Sequence, residues 1–282
     1  LDYLKYGLSI TIKREKRTFK LIDYQHLDRN LYIYAPEVKF PGSPENIKPD
    51  ITLTVNGIPI AMVEIEPSTK IDSTNIGVNQ IRMYEQKSPN TFRFTQLAII
   101  CGDKQVFIPT YPNWDKKTRV TPTQNWKVKK IINGKTIYEE DIHQLIEPAT
   151  LLKIIRWYTF FRVKNGDKNK IIARYNQYRA SEASFERTSN YLNGKDEKKN
   201  GLIWHWQGSG KTYTMFFTAI RFFEEFFHRN PLIFFIVDRR ELERQLRKFL
   251  EGIKAERFKD YLKIINNIDE LIEVVELSLI HI

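Results

Sequence analysis

Two groups of residues in this sequence have the types and spacing that chemistry requires. The first is Gln207-Gly208-Ser209-Gly210-Lys211-Thr212. Several backbone N–H groups converge on one phosphate only where glycine admits dihedrals closed to other residues, and the positive end of a following helix adds to the field. Gly208 and Gly210 supply the bend, Lys211 is a point charge for the β and γ phosphates, and the Thr212 hydroxyl is a ligand for Mg²⁺. This is a P-loop for ATP, although the first glycine of G-x-x-x-x-G-K-[ST] would fall at His205. The second group is acidic: Asp50, Glu64 and Glu66. Carboxylates a few ångströms apart repel unless a divalent cation lies between them, which makes Asp50 and Glu64 a candidate Mg²⁺ site for phosphodiester hydrolysis. The plainer alternative is a surface hairpin whose acids are solvated.

The elements that must position the acids are legible. Ile51–Val55 and Ile58–Ile65 flank Asn56-Gly57, the residue pair of a type I′ turn, so they form a hairpin. With Val55 opposite Ile58, a regular ladder places Pro49 opposite Glu64. A one-residue bulge then decides whether Asp50 and Glu64 share a face. Alternation puts Glu64 and Glu66 on the face of Ile60 and Met62. Downstream, Gln80 and Tyr84 are spaced to share one face of a helix over about 76–86.

Leu31–Tyr34 and Leu97–Ile100 are further strand-like runs, so residues 1 to about 110 read as α/β or α+β. Tyr111–Lys135 then carries Lys116, Lys117, Arg119, Lys127, Lys129, Lys130 and Lys135 against Asp115, with Trp114 and Trp126 interleaved, and reads as a connector or an exposed basic hairpin. Helical periodicity over 148–161 and 171–191 opens a second domain. It continues as strand Leu202–His205, the glycine loop, a helix over 213–228 and the apolar strand Leu232–Val237, the grammar of a βαβ unit in a buried parallel sheet. Asp238 and Glu241 have capping-box spacing, and Arg239 or Arg240 are candidates for a nucleic-acid contact. Gln177, on the preceding helix, has an amide able to pair with both edges of adenine, or simply a solvated one. The expected domains are residues 1–147 and 148–282.

The 282 residues are 41% hydrophobic with a formal net charge of +11, which suits folded domains with a polyanionic partner. Cys101 is the single cysteine, so no disulfide framework or thiolate zinc site forms within the chain. The aromatic run Phe216–Phe227 is broken by Arg221, Glu224 and Glu225 and is too short to span a bilayer. A cytoplasmic protein with no membrane partner is expected. The start at Leu1 and the apolar end at Ile282 read as a fragment.

Taken together, the chain resembles the restriction, or motor, subunit (R subunit) of type I restriction-modification enzymes. Pro49-Asp50, the Asn56-Gly57-Ile58-Pro59 turn, Val63-Glu64-Ile65, Gln80 and Tyr84 resemble its PD-(D/E)xK nuclease domain with a Q-x-x-x-Y motif. Arg174–Ala180 resembles the adenine-reading glutamine motif, Leu202–Met215 helicase motif I, in which a histidine at position 205 is usual, and Val237–Leu242 with Gln245 motif Ia. The resemblance implies a nuclease-like α/β domain followed by the start of a RecA-like parallel-sheet domain. It implies Mg²⁺ at Asp50 and Glu64, supporting roles for Gln80 and Tyr84, and ATP at Gln177 and Gln207–Thr212. The implied partners are double-stranded DNA and the methylase and specificity subunits. Glu66 stands where the family has lysine, with Lys70 or Lys48 as substitutes, so the alternative is a helicase-like DNA-dependent ATPase whose nuclease-like domain binds DNA without cutting it. Asp269-Glu270 reads as a helix start rather than the acidic motif of ATP hydrolysis, so these residues alone are expected to lack ATPase activity.

Overall fold

The structure is a computed structural model that describes residues 1–112, 123–133, 135–164, 166–254, 261–265 and 267–279. The chain forms two compact units, the first comprising Leu1–Thr159 with Lys170–Tyr175 and the second Phe160–Asn169 with Asn176–Ile282.

In the first unit, α1 (Asp2–Tyr6) leads into the hairpin β1 (Leu8–Ile12) and β2 (Glu15–Phe19). Then β3 (Tyr32–Pro36), β4 (Ile51–Val55), β5 (Ile58–Ile65), α2 (Ser73–Lys87), β6 (Leu97–Cys101) and β7 (Gln105–Pro109) build one five-stranded sheet in the order β3-β4-β5-β6-β7. The β5–β6 pair is parallel and the others antiparallel, because α2 is the crossover that returns the chain to the same end of the sheet. Met62, Ala98, Ile100, Val106 and Ile108 pack against Ile81 and Tyr84 of α2, with Ile47 and Phe92 closing the core. β5 and β6 lie at the centre of the sheet and are buried almost throughout, which is why their sequences are nearly continuous apolar runs.

The basic connector divides. Residues 113–122, with Trp114, Asp115, Lys116, Lys117 and Arg119, lie outside the described residues. Lys127, Lys129, Lys130 and Lys135 fall on the exposed hairpin β8 (Lys127–Ile132) and β9 (Lys135–Glu140). Trp126, read as part of the exposed tract, is instead fully buried, edge-on to Phe107 and Tyr175, with its indole N–H donating to Gln144 at 3.2 Å. Two helices, α3 (His143–Ile146) and α4 (Pro148–Trp157), complete this unit. The expected boundary at 147/148 thus falls ahead of α4, which buries Leu151, Leu152, Ile154 and Ile155 within the first unit.

A hairpin, β10 (Thr159–Lys164) and β11 (Asp167–Ile172), replaces the helical reading at the end of 148–161. The second unit contains α5 (Tyr175–Leu192), α6 (Lys211–Glu225), α7 (Arg240–Gly252), β12 (Ile253–Lys254) and α8 (Ile268–Leu279). Phe160 meets Phe216, Phe217 and Phe249 at centroid distances of 4.9 to 6.5 Å, and β12 pairs antiparallel with β10.

One expectation is corrected here. Leu202–His205 and Leu232–Val237 form no strand and join no sheet among the described residues. A strand exists only where a neighbour supplies its ladder, and these residues find none, so Leu202, Trp204 and Ile236 are 84, 87 and 89% exposed. The capping box at Asp238 and Glu241 is absent too: the N-cap of α7 is Arg239, without a side-chain cap. Asp269 and Glu270 do lie in the first turn of α8, where Asn267 and Glu270 bond reciprocally.

Candidate functional site

The acidic site is assembled by a register shift. Asn56 and Gly57, at φ 52° and 78°, form the left-handed pair expected of a type I′ turn. The ladder begins Val55↔Ile58 and Thr54↔Pro59, then shifts between Leu53 and Thr54 to Leu53↔Ala61, Thr52↔Met62 and Ile51↔Val63. Ile60 is the surplus residue. Continued by one residue, this register sets Asp50 opposite Glu64, on the same face, where the unbulged ladder would have set Pro49. The Asp50 Oδ2 accepts the Ile65 N–H at 2.7 Å, so the strand end fixes its direction.

Glu64 points with Met62 toward α2 and is 1% exposed. Its Oε2 accepts from Gln80 Nε2 at 2.8 Å, the same amide donates to Tyr84 Oη at 2.8 Å, and Tyr84 Oη donates to the Lys48 carbonyl at 3.1 Å. The four-residue spacing therefore sets Gln80 on the acid and Tyr84 on the Gln80 amide. α2 is aimed by two devices. Asp103, in the β6–β7 turn, accepts from Thr74 N and Thr74 Oγ1 at 2.8 and 2.6 Å and from Ser73 Oγ, bonds that hold its carboxyl down to about 2. Gly77 lets the helix approach the sheet, since a Cβ there would lie 2.6 Å from Ile100 Cγ2.

Burial, then the charge of Asp50 and to a lesser degree that of Glu66, push the Glu64 carboxyl up to about 8, against the opposing Asp50 backbone N–H. Its Oε1 is buried without a hydrogen-bond partner. A carboxylate with one oxygen held by an amide and the other unpartnered beside a second carboxylate suits a divalent cation. Among the described residues no cluster of three or more His, Cys, Asp or Glu forms a complete protein cage. Two carboxylate donors are chemically compatible with a cation that keeps several waters, as Mg²⁺ does. Of the two substitute cations, Lys48 is engaged by Glu37 at 2.8 Å, whereas Lys70 Nζ lies 3.5 Å from Glu66, whose side chain is 12% exposed.

Sequence reasoning missed Asp103 and the buried group Arg82, Glu85 and Lys170. Arg82 Nη1 bonds Glu85 Oε1 at 2.6 Å, Glu85 also accepts the Tyr111 N–H at 2.8 Å, and Lys170 Nζ reaches the carbonyls of Thr95 and Gln96. On a helix, Arg82 and Glu85 read as an ordinary surface pair, and only the long-range partners reveal otherwise.

In the second unit, Gly208 and Gly210 adopt φ 81° and 84°, and Gly210 is the left-handed N-cap of α6. Lys211 Nζ donates to the Trp206 carbonyl at 3.0 Å, folding the loop over itself. Gln177 is 4% exposed and its Nε2 donates to the Ser209 carbonyl at 3.1 Å. A Cβ on Gly210 would lie 2.4 Å from that same Nε2, so the second glycine is required for contact as well as for φ. Ser209 is 1% exposed with its hydroxyl unpartnered, Gln207 and Gly208 are exposed, and Thr212 is half-buried in the first turn of α6.

A mixed sheet carrying paired carboxylates and a glycine-bent loop heading a helix define an α/β protein with two separate candidate centres. Residues 1–117 match the family described as type I restriction enzyme R protein N terminus, and residues 176–280 match the SWI2/SNF2 ATPase family. The chain is 49% identical over 98% of its length to a putative type I restriction enzyme MjaVIIP endonuclease subunit of Methanocaldococcus jannaschii, covering 26% of that protein. It is 41% identical to the MjaVIIIP endonuclease subunit of the same organism, covering 98% of this chain and 27% of that one. It is 28% identical to the type I restriction enzyme HindI endonuclease subunit of Haemophilus influenzae over 80% of this chain and 22% of the relative. This chain is R-subunit sequence of the type I restriction kind, spanning about a quarter of the length of the curated relatives it matches. No helix among the described residues is long and apolar enough to cross a membrane.

Proposed function

We propose that this chain supplies the nuclease centre and the nucleotide-binding start of the motor in an ATP-dependent DNA restriction endonuclease. The first unit is read as a PD-(D/E)xK nuclease domain and the second as the opening of a RecA-like domain. The observation that carries the reading is the buried, half-satisfied Glu64 set opposite Asp50 by the bulge at Ile60.

In this reading Asp50 and Glu64 hold Mg²⁺, which when bound supplies Lewis-acid stabilisation of the charge that develops on the phosphate. Gln80 orients Glu64 by its 2.8 Å bond, and Tyr84 relays that position to the backbone at Lys48. Lys70 stands in for the lysine that Glu66 replaces, its ammonium being held toward the acidic face by Glu66 itself. Gln207–Thr212 receive the phosphates of ATP, Thr212 completes the Mg²⁺-ATP site, and Gln177 steadies the loop through Ser209. Double-stranded DNA is the substrate, with methylase and specificity subunits as partners.

The test is plasmid cleavage by the full-length protein with its partner subunits, ATP and Mg²⁺. Asp50→Ala should abolish cleavage and leave ATP hydrolysis intact, whereas equal cleavage by both proteins rejects the site. A second reading, a DNA-dependent ATPase with a nuclease-like domain that binds but does not cut, is favoured by the third acid at Glu66. It requires that wild type leave DNA uncut in any divalent metal and that Glu66→Lys confer cleavage.

A further inference from the structure

Three tight hairpins in the first unit invite comparison. The β4–β5 turn is Asn56-Gly57, and the β8–β9 turn opens with Asn133 at φ 50°. The β1–β2 turn is Lys13-Arg14, at φ 48° and 71°. Left-handed backbone disfavours residues with a Cβ, and asparagine and glycine are the residues that tolerate it best. Two long cations therefore occupy positions where conformation alone would select neither.

The same hairpin carries its charge at the tip and along the second strand, while the first strand, Leu8–Ile12, has no charged residue, and neither strand is supported by a further strand among the described residues. Lys13, Arg14, Lys16, Arg17 and Lys20 stand against Glu15, which pairs with Arg17 at 3.1 Å. All five residues of each strand are exposed, and the two strands pair with no other strand among the described residues. The ladder Ile10↔Arg17 and Thr11↔Lys16 sends one cation to each face. Yet the root is built firmly. Gly7, at φ 87°, would carry a Cβ 2.5 Å from the Phe19 carbonyl, Leu4 and Ile22 are buried on either side, and Lys5 Nζ donates to the Thr159 carbonyl at 2.7 Å. A two-stranded ribbon with exposed strands is marginal unless it is anchored or covered.

We infer that the β1–β2 hairpin is a DNA-contacting arm whose Lys13-Arg14 tip and flanking cations engage the phosphate backbone of duplex DNA. Charge complementarity selects the partner, and a five-residue ribbon about 17 Å long has the size of elements that lie in the major groove. The inference rests on the reading of this chain as a DNA-handling protein, and it is independent of whether the acidic site cleaves.

The experiment uses the full-length protein and a short labelled duplex, without nucleotide or divalent cation, titrated by fluorescence anisotropy at several salt concentrations. The variant Lys13→Asn with Arg14→Gly removes both charges while installing turn residues suited to the backbone, so its thermal midpoint should hold or rise. Its affinity should fall roughly tenfold or more near 0.1 M salt, and the slope of log K against log salt should shallow by about 2. Lys13→Arg with Arg14→Lys should bind as wild type does. Should the turn variant misfold, Lys16→Ser with Lys20→Ser gives the same readout from the strands. Unchanged affinity and slope overturn the inference, as does intact DNA binding with lost assembly onto the methylase subunits, which would make the hairpin a protein-docking element. Failure of wild type to bind duplex at all would instead reject the DNA-handling reading beneath it.

Discussion

Glu64→Gln is the substitution whose effect can be worked furthest. In the metal-free protein the Glu64 carboxyl titrates at about 8, pushed up by burial and by the charges of Asp50 and Glu66, against 4.5 for the unperturbed group. Between those values the unfolded chain has released the proton and the folded chain retains it. The unfolded state thus binds fewer protons, and stability falls as pH rises from about 4.5 to about 8. At ~1.36 kcal/mol per pH unit the loss reaches a ceiling of about 5 kcal/mol, and solvent screening of the Asp50 and Glu66 charges brings it to about 3–5 kcal/mol. Glutamine, isosteric and without a proton to lose, removes this dependence while keeping an acceptor for Gln80. Wild type and Glu64→Gln should be nearly equal in stability at pH 5, and the variant should be about 3–5 kcal/mol more stable at pH 8. With a urea m-value of ~2 kcal/mol/M the midpoints separate by about 1.5–2.5 M, followed by fluorescence of the buried Trp126 and Trp157. Glu85, raised to about 7, and Lys170, lowered to about 7, titrate in both proteins and cancel in the difference. Adding Mg²⁺ at pH 8 should stabilise wild type and leave the variant unmoved. Parallel pH profiles for the two proteins would refute the reasoning, because they would mean that Glu64 is ionised and compensated without metal.

Two further outcomes follow from packing and from the glycine loop. Gly77→Ala should destabilise the first unit by about 1–3 kcal/mol, because the new Cβ meets Ile100 Cγ2 at 2.6 Å, and calorimetric unfolding measures it. Lys211→Ala should leave stability within about 0.5 kcal/mol, since Lys211 is exposed, while weakening binding of a fluorescent ATP analogue about tenfold or more; a variant that binds the analogue normally removes the loop from the nucleotide site.

The first unit was largely legible because its signals are local. The Asn56-Gly57 turn and the four-residue spacing of Gln80 and Tyr84 each specify a neighbour close in the chain and each found it, while the apolar runs of β5 and β6 mark strands buried on both faces. What escaped depends on partners distant in sequence. Trp126 looked like part of a solvated basic tract until Phe107 and Tyr175 closed over it. Asp103 is an unremarked turn residue until it meets Thr74. Segments 202–205 and 232–237 carry strand patterning that no ladder partner among the described residues completes, so pattern and structure part company there. In the glycine loop the dihedrals of Gly208 and Gly210 were legible, whereas the bond from Gln177 to Ser209 spans the rest of α5 and a loop and left no mark in spacing.

The surplus residue at Ile60 means that the acidic site is written partly as a length. The turn end and the site end of the β4–β5 hairpin are counted in two frames, and only the frame after Leu53 lets Asp50 and Glu64 face the same side. A variant could therefore retain Asp50, Glu64, Gln80 and Tyr84 unchanged and still have no site, simply by pairing its strands without the bulge. Searching for the motif letters would count such a protein as intact, and only the spacing between letters and turn would betray it.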